Sequence, residues 1–393
     1  MFILAHFTPF SHKGYLLSVF TVWRYNEFMA VGLKKQRGVS DRKLLVLTVL
    51  LTLVGLVAVA DASAPQALNF FDDELFFAKQ QGVFALVGLF LFALFSKINY
   101  KFWGKVATPL FFISVALLLL VFIPGVGTSA LGAKRWIAFG NVSFQPSEFI
   151  KLTLAIYIAK VAESKKKISA FFVPVFLVSG LIMFQPDLGT TLVIVGIGIT
   201  QMFLAGVNTL QFLGGIGVAG LLASALIFFS DYRRERVLTF FEATRDPLGK
   251  SYHIRQVLLA LGSGGLFGVG LGQSRQKYLF LPEAATDSIF AVIAEELGFI
   301  GASALVILFA LFVLQAIRIA ASAPDDFSKI LAGGIAAWIG GQAFLNIGSM
   351  IALVPLTGLP LPFVSYGGTA LVTALVATGI LLNISKHAKG QKK

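Results

Sequence analysis

Residues 281–301 read LPEAATDSIFAVIAEELGFIG, with the carboxylates Glu283, Asp287, Glu295 and Glu296 on the edge of an apolar run. That run continues to about residue 319. It is long enough to cross the ~30 Å hydrocarbon core of a bilayer, which takes about 20 residues of helix. At 1.5 Å per residue, Glu295 and Glu296 lie about 12 Å beyond Asp287, at hydrocarbon depth. Ionised carboxylates are costly there, so both should face the bundle interior and be paired or protonated. Asp287 marks the membrane surface. Its ordinary use is as the N-cap of the span, a role Thr286 would fill equally well. The chemical use is as a general base beside an outer cavity. One residue can serve both.

The rest of the chain repeats this pattern. It is 57% hydrophobic and 13% charged, with a mean hydropathy of +0.84. Ten spans are expected, near 43–63, 80–96, 105–123, 148–162, 169–185, 188–205, 209–230, 288–319, 329–352 and 367–385. The fold class is all-α: a polytopic membrane protein with a large extracytoplasmic loop, 231–287, between spans seven and eight. A second outer loop covers 124–147. Residues 1–42 read as a cytoplasmic segment, 43–385 as one transmembrane domain and 386–393 as a basic tail. Ser11, His12 and Lys13 break the first apolar run, which fits an over-called start and a true one at Met29.

The net charge of +13 would suit nucleic acid, but its placement does not. Basic residues gather in short loops and at both ends: Lys34, Lys35 and Arg37; Lys97, Lys101 and Lys105; Lys165 to Lys167; Arg318 and Lys329; Lys386 to Lys393. The opposite loop holds Asp72, Asp73 and Glu74. By the positive-inside rule both termini are cytoplasmic. Part of the excess would meet anionic headgroups or a phosphorylated substrate. No cysteine is present, which excludes disulfides and thiolate chemistry, and four scattered histidines argue against a zinc site.

Several stretches carry possible chemistry. GAKRWIAFGNVSFQPSEFIK (132–151) puts Lys134, Arg135 and Trp136 at the outer interface. A belt tryptophan with snorkelling cations is the plainer reading. A phosphate clamp, with Arg135 as a bidentate fork and Lys134 and Lys151 as point charges, is the functional one. Lys151 lies inside an apolar helix one turn after Glu148, so an ion pair fits. FQPSE (144–148) and FQPD (184–187) both open helices from the outer side, with proline in the first turn and a carboxylate at the positive end of the dipole. For Asp187 that helix-end role is sufficient. SYHIRQVLLALGSGGLFGVGLG (251–272) is apolar but broken by glycine, which suits an interfacial or re-entrant helix; its glycines fit close backbone approach and no nucleotide-loop pattern. Gln342, Asn346 and Ser349 share one helix face, as interhelical hydrogen bonders or as a cavity wall. PLTGLPLPFVSYGG (355–368), with three prolines, reads as an extended surface lip.

Together KRWIAFGNVSFQPSEFIKL, FQPDLGTT, the stretch from DPLGKSYHIRQ to AEELGFIG, and PLTGLPLPFVSYGGTAL resemble the SEDS family (shape, elongation, division, sporulation), which includes FtsW, RodA and SpoVE. The resemblance runs from about Asp41 to the end, and the glycine-rich lead into SRQKYLFLPEA is more like the division type. It implies a bacterial cytoplasmic-membrane enzyme that polymerises lipid II into glycan strands at the outer face. The implied partners are a class B penicillin-binding protein transpeptidase and other division or elongation membrane proteins. The family's essential aspartate, in PE-x-x-TD, corresponds to Asp287. Members often carry histidine just before the Thr-Asp pair, where this chain has Ala285.

The resemblance also implies a mechanism. Asp287 takes the proton of a sugar hydroxyl, and the leaving pyrophosphate needs cations but no general acid. Lys134, Arg135, Lys151 and Arg255 are the candidates, with Trp136, Gln145, Glu148, Glu283, Ser365 and Tyr366 completing the substrate-binding set. A divalent cation, Mg or Mn, would share the task, although the sequence offers no dedicated metal site. Two other classes stay open: a flippase for lipid-linked precursor and a non-catalytic divisome scaffold. A native peptide from upstream of Met29, detected by mass spectrometry, would refute the expected start.

Overall fold

The structure, a computed structural model, describes residues 41–130, 133–140, 142–164, 169–228, 234, 251–278 and 280–388. The expected start region, the basic residues 34–37 and 165–167, most of loop 231–250 and the tail beyond 388 lie outside the described residues.

Each expected span coincides with a helix: α1 Arg42–Phe71, α2 Phe76–Phe95, α3 Tyr100–Leu120, α4 Pro146–Glu163, α5 Ser169–Phe184, α6 Leu188–Leu204, α7 Thr209–Phe228, α9 Ile289–Ser322, α10 Asp326–Met350 and α11 Gly368–Lys386. An additional helix, α8, covers Tyr252–Gly264. Among the described residues, six helices are long and apolar enough to cross a membrane: α1, α2, α3, α9, α10 and α11. Helices α5 and α6 are apolar but shorter. The chain is thus a multi-pass membrane protein.

The centre is built from α4, α10 and α11, whose side chains are buried on nearly every face. Helix α10 packs on α9, α6 and α4, while α11 packs on α2. Asp41 caps α1 by accepting from Lys43 N and Leu44 N. Its own N–H donates to Ser385 Oγ at 3.2 Å, and its second carboxylate oxygen accepts from Gln315 Nε2. Both ends of the described chain therefore meet at one end of the bundle, here the Asp41 end. Asp287 lies at the opposite end.

Four features differ from expectation. Helix α1 runs on past residue 63 to Phe71, because Asp61, which interrupts the apolar run, is paired inside the protein. Loop 124–147 forms an antiparallel sheet in the order β1 Gly127–Ala130, β2 Ala133–Phe139, β3 Val142–Phe144. Segment 355–368 is not a surface lip. Leu359, Leu361, Phe363 and Val364 are buried, and Phe363 O lies where a Cβ on Gly55, midway along α1, would sit. Proline excludes helix there, but it does not exclude burial once the free carbonyls find donors.

The fourth difference is in α9, which is broken at Gly298 (φ 66, ψ −167). A break in a helix at hydrocarbon depth strands backbone groups that must be satisfied internally. The glycine-rich stretch after α8 does this. Val269 N donates to Glu295 O (3.0 Å) and Gly270 N to Glu296 O (3.1 Å), while Phe299 N and Ile300 N donate to Gly265 O and Leu266 O. Helix α8 packs on α9, and the glycine-rich segment that follows it runs alongside α9 at the break. Backbones this close leave no room for a side chain. A Cβ on Gly298 would lie 2.3 Å from Gly268 N, and one on Gly268 would lie 2.0 Å from Glu296 O. Gly298→Ala and Gly268→Ala should each lower the thermal midpoint of the detergent-solubilised protein, through about 1–3 kcal/mol of backbone strain plus the clash. Gly262→Ala, in α8 with open space around it, should be neutral or stabilising by up to about 1 kcal/mol.

Candidate active site

The turn that carries Asp287 is held by its own backbone first. Glu283 adopts φ 52, and its carbonyl accepts from Thr286 N (3.1 Å) and Ser288 N (3.0 Å). Its carboxylate accepts from Thr286 Oγ1 at 2.6 Å. Ser288, and neither Thr286 nor Asp287, is the N-cap of α9, and it makes no side-chain capping bond. The capping expectation is therefore corrected by one residue. Asp287 sits half-buried just outside the helix.

Two neighbours then grip the turn by its carbonyls. From α10, Asn346 Nδ2 donates to Asp287 O at 2.7 Å and to Leu359 O at 2.7 Å. From segment 355–368, Tyr366 N donates to Ala285 O at 2.8 Å and Ser365 Oγ donates to Thr286 O. That segment is anchored on α2: Gln81 Nε2 donates to Ser365 O (3.1 Å), and Tyr366 Oη donates to Gln80 Oε1 (2.6 Å). Ser365 and Tyr366 thus support the turn.

Beneath this assembly lies a buried ion pair. Lys151 is fully buried, and its ammonium donates to Glu148 Oε1 and to Gln342 Oε1, each at 2.7 Å. It also lies 5.3 Å from the centre of the Trp338 ring, a cation–π contact. Trp338 Nε1 shares the Gln342 oxygen, and Gln342 Nε2 donates to Pro360 O at 2.8 Å. The expected i, i+3 pair is present. As a phosphate ligand, however, Lys151 is placed differently from the sequence reading: its ammonium is walled in and its hydrogen bonds serve the protein. Gln342 and Asn346 act as interhelical hydrogen bonders.

Arg135 is likewise committed. Its guanidinium donates to Gln185 O and Pro186 O and lies 3.7 Å from Asp187 Oδ2. Rather than forming an open clamp, it ties β2 to the corner before α6. Asp187 caps α6 through Thr190 N (2.9 Å), as its helix-end role requires. Lys134 is exposed on β2, Trp136 is half-buried beside it, and Arg255 is exposed on α8. Gln145 is the N-cap residue of α4, with its N–H on Thr369 Oγ1.

Glu295 and Glu296 are both hydrogen-bonded inside the bundle, and Glu296 is ion-paired. Glu296 accepts from Lys277 Nζ (2.9 Å) and Ser274 N (3.0 Å), and Lys277 also bonds Asp61 Oδ1 at 2.7 Å. Glu295 accepts from Ser274 Oγ and Arg275 N. Sequence reasoning missed Asp61 and Lys277, although a lone acid inside an apolar span was a signal of a buried partner. It also passed over His253, whose Nε2 lies 2.8 Å from Ser288 Oγ. Among the described residues, no group of three or more His, Asp or Glu side chains is arranged to hold a metal ion. A groove of about 580 Å3 between α6, α9 and α10 is almost wholly apolar and lies apart from Asp287.

These features are those of a polytopic membrane protein with a carboxylate-bearing turn braced at one rim. The family model described as cell cycle protein, FtsW/RodA/SpoVE, matches residues 42–390, and the chain belongs to that family. It is 44% identical to stage V sporulation protein E of Bacillus subtilis, across 89% of this chain and 98% of that one. It is 40% identical to a probable peptidoglycan glycosyltransferase FtsW of Geobacter metallireducens, across 89% and 96%. Among solved structures it resembles a chain from work on the structural coordination of polymerization and crosslinking by a peptidoglycan synthase complex (TM-score 0.73, 28% identity, 88% and 97% covered). The rod shape determining protein RodA of Thermus thermophilus is also similar (TM-score 0.66, 28% identity, 89% and 98% covered).

The buried pair predicts an asymmetric response. Lys151→Ala leaves Glu148 unpaired and should destabilise the solubilised protein by about 3–5 kcal/mol. The double variant Glu148→Leu/Lys151→Met should regain much of that loss, read as the thermal midpoint in detergent.

Proposed function

We propose that the chain is a peptidoglycan glycosyltransferase that polymerises lipid II, with Asp287 as its general base. The observation that carries this reading is the bracing of the Asp287 turn: α10 and segment 355–368 hold its carbonyls, and the residue stays half-buried at the rim. Such preorganisation is what a base acting on a weak nucleophile requires.

In the reaction, the Asp287 carboxylate takes the proton from the 4-hydroxyl of the N-acetylglucosamine on one lipid II. The hydroxyl oxygen attacks the anomeric carbon of the other. The bond from that carbon to the phosphate oxygen breaks, with inversion, and polyprenyl pyrophosphate leaves as an anion. The exposed Lys134 and Arg255 are the side chains that offer it positive charge; Arg135 and Lys151 hold the scaffold. Gln145, Glu148, Glu283, Ser365 and Tyr366 shape the site from below and beside the turn. The apolar helices keep the polyprenyl tails in the bilayer while the headgroups meet.

The Asp41 end bears Arg318, and the positive-inside rule supports reading that end as cytoplasmic and Asp287 as facing outward. The partner is a class B penicillin-binding protein transpeptidase, a reading supported by the likeness to a chain of a synthase complex. A flippase is the second reading. It is favoured by broken helix α9 beside the Asp61–Lys277–Glu296 cluster, since transporters place charges at broken helices. Against it, Lys277 and Glu296 are buried against each other and the backbone at the break is satisfied by the chain itself.

In liposomes, Asp287→Asn and Asp287→Ala should lower lipid II polymerisation by about 10²–10⁴-fold. Native polymerisation by either variant, or scrambling of lipid II without polymerisation by the wild type, would overturn the assignment.

A further inference from the structure

We infer that His253 is a positioning residue for Asp287, coupling helix α8 to the geometry of the catalytic turn; this rests on the reading of Asp287 as the base. Ser288 links the helix to the turn. Its hydroxyl has one hydrogen, which it donates to Pro282 O at 2.9 Å across the turn. Toward His253 Nε2, 2.8 Å away, Ser288 Oγ therefore acts as the acceptor, and Nε2 carries the proton. The chain Nε2–H to Oγ–H to the Pro282 carbonyl spans the turn from its first residues to the one just after Asp287.

Ser288 is fully buried, so its hydroxyl finds its partners within the protein. The remaining anchors, Asn346, Ser365 and Tyr366, come from α10 and segment 355–368. His253 is the side chain through which α8 reaches the turn. At its other end α8 is fastened to α9 by Gly264, which packs on Ala294 O, and by the backbone bonds of residues 265–270 at the Gly298 break. A displacement of α8 is thus passed through the His253–Ser288 hydrogen bond to the turn that carries Asp287. The turn accordingly has an imidazole braced against it although residue 285 is alanine.

The test uses the full chain in lipid II liposomes with four variants: His253→Ala, His253→Gln, Ser288→Ala and the His253→Ala/Ser288→Ala double. A glutamine side chain carries an N–H donor at about the same reach as Nε2. Misplacing a reacting group by about 1 Å costs up to about 10²-fold in rate. His253→Ala should lower kcat by about 10- to 100-fold, with KM for lipid II changed less than about threefold. His253→Gln should recover most of the rate, and the double variant should be no slower than the slower single one. The proposal is overturned if His253→Ala turns over at the native rate while Asp287→Asn is inactive, a result that leaves the base assignment standing. It is also overturned if His253→Ala raises KM alone, which would make the imidazole a substrate contact. Should His253→Ala fail to fold, His253→Gln decides: a folded glutamine variant as slow as Asp287→Asn refutes the relay. An active Asp287→Asn removes the base reading itself.

Discussion

A lysine ammonium buried at the centre of a lipid-embedded bundle organises this molecule. Lys151 has three N–H groups; one meets Glu148, one meets Gln342, and the Trp338 ring lies within cation–π range. Nothing in hydrocarbon could satisfy that charge, so the helices that supply its partners, α4 and α10, are fixed relative to each other. The consequence passes upward. Gln342, oriented by Lys151 and Trp338, holds Pro360 O, and one turn along α10 Asn346 holds both Leu359 O and Asp287 O. A buried pair of this kind is weak evidence for net stability, but it specifies one arrangement among many.

The second organising constraint is the need to satisfy every backbone group at membrane depth. Helix α9 breaks at Gly298 and segment 355–368 carries three prolines, yet at both places protein groups meet backbone groups that no helix pairs: Phe299 N and Ile300 N at the break, Leu359 O and Pro360 O in the segment. At the break, the irregular segment after α8 replaces helical hydrogen bonds with bonds between the two segments. Along 359–365, side-chain amides and Ser365 do the same work. Irregular backbone is tolerated here because it is enclosed, and in both places it lies against the turn or helix that bears Asp287.

Much of this was legible in the residues. Runs of about 20 apolar residues announced the helices, because hydrocarbon thickness sets their length. The Glu148–Lys151 spacing announced an ion pair, and the paired acids Glu295 and Glu296 announced buried partners. What stayed hidden depended on long-range contact. Gly298 has the same hydropathy in a helix or at a break, and only the approach of Gly268 distinguishes the two. Arg135 offers the same fork to a phosphate as to the carbonyls of Gln185 and Pro186. The three prolines of 355–368 ruled out helix without saying whether the segment lay outside or inside. The sequence marked Asp287 as a carboxylate at a helix start, but it did not show that Lys151 and Arg135 bond to protein groups.

The polar column from Lys151 through Gln342 and Asn346 keeps the Asp287 turn in one geometry. Hydrogen exchange in the full chain carrying Asn346→Ala tests this most directly. The amides of Thr286 and Ser288, bonded to Glu283 O, should exchange at least about tenfold faster than in the wild type, while those of α11 stay unchanged. Unaltered exchange at 286 and 288 would contradict the account.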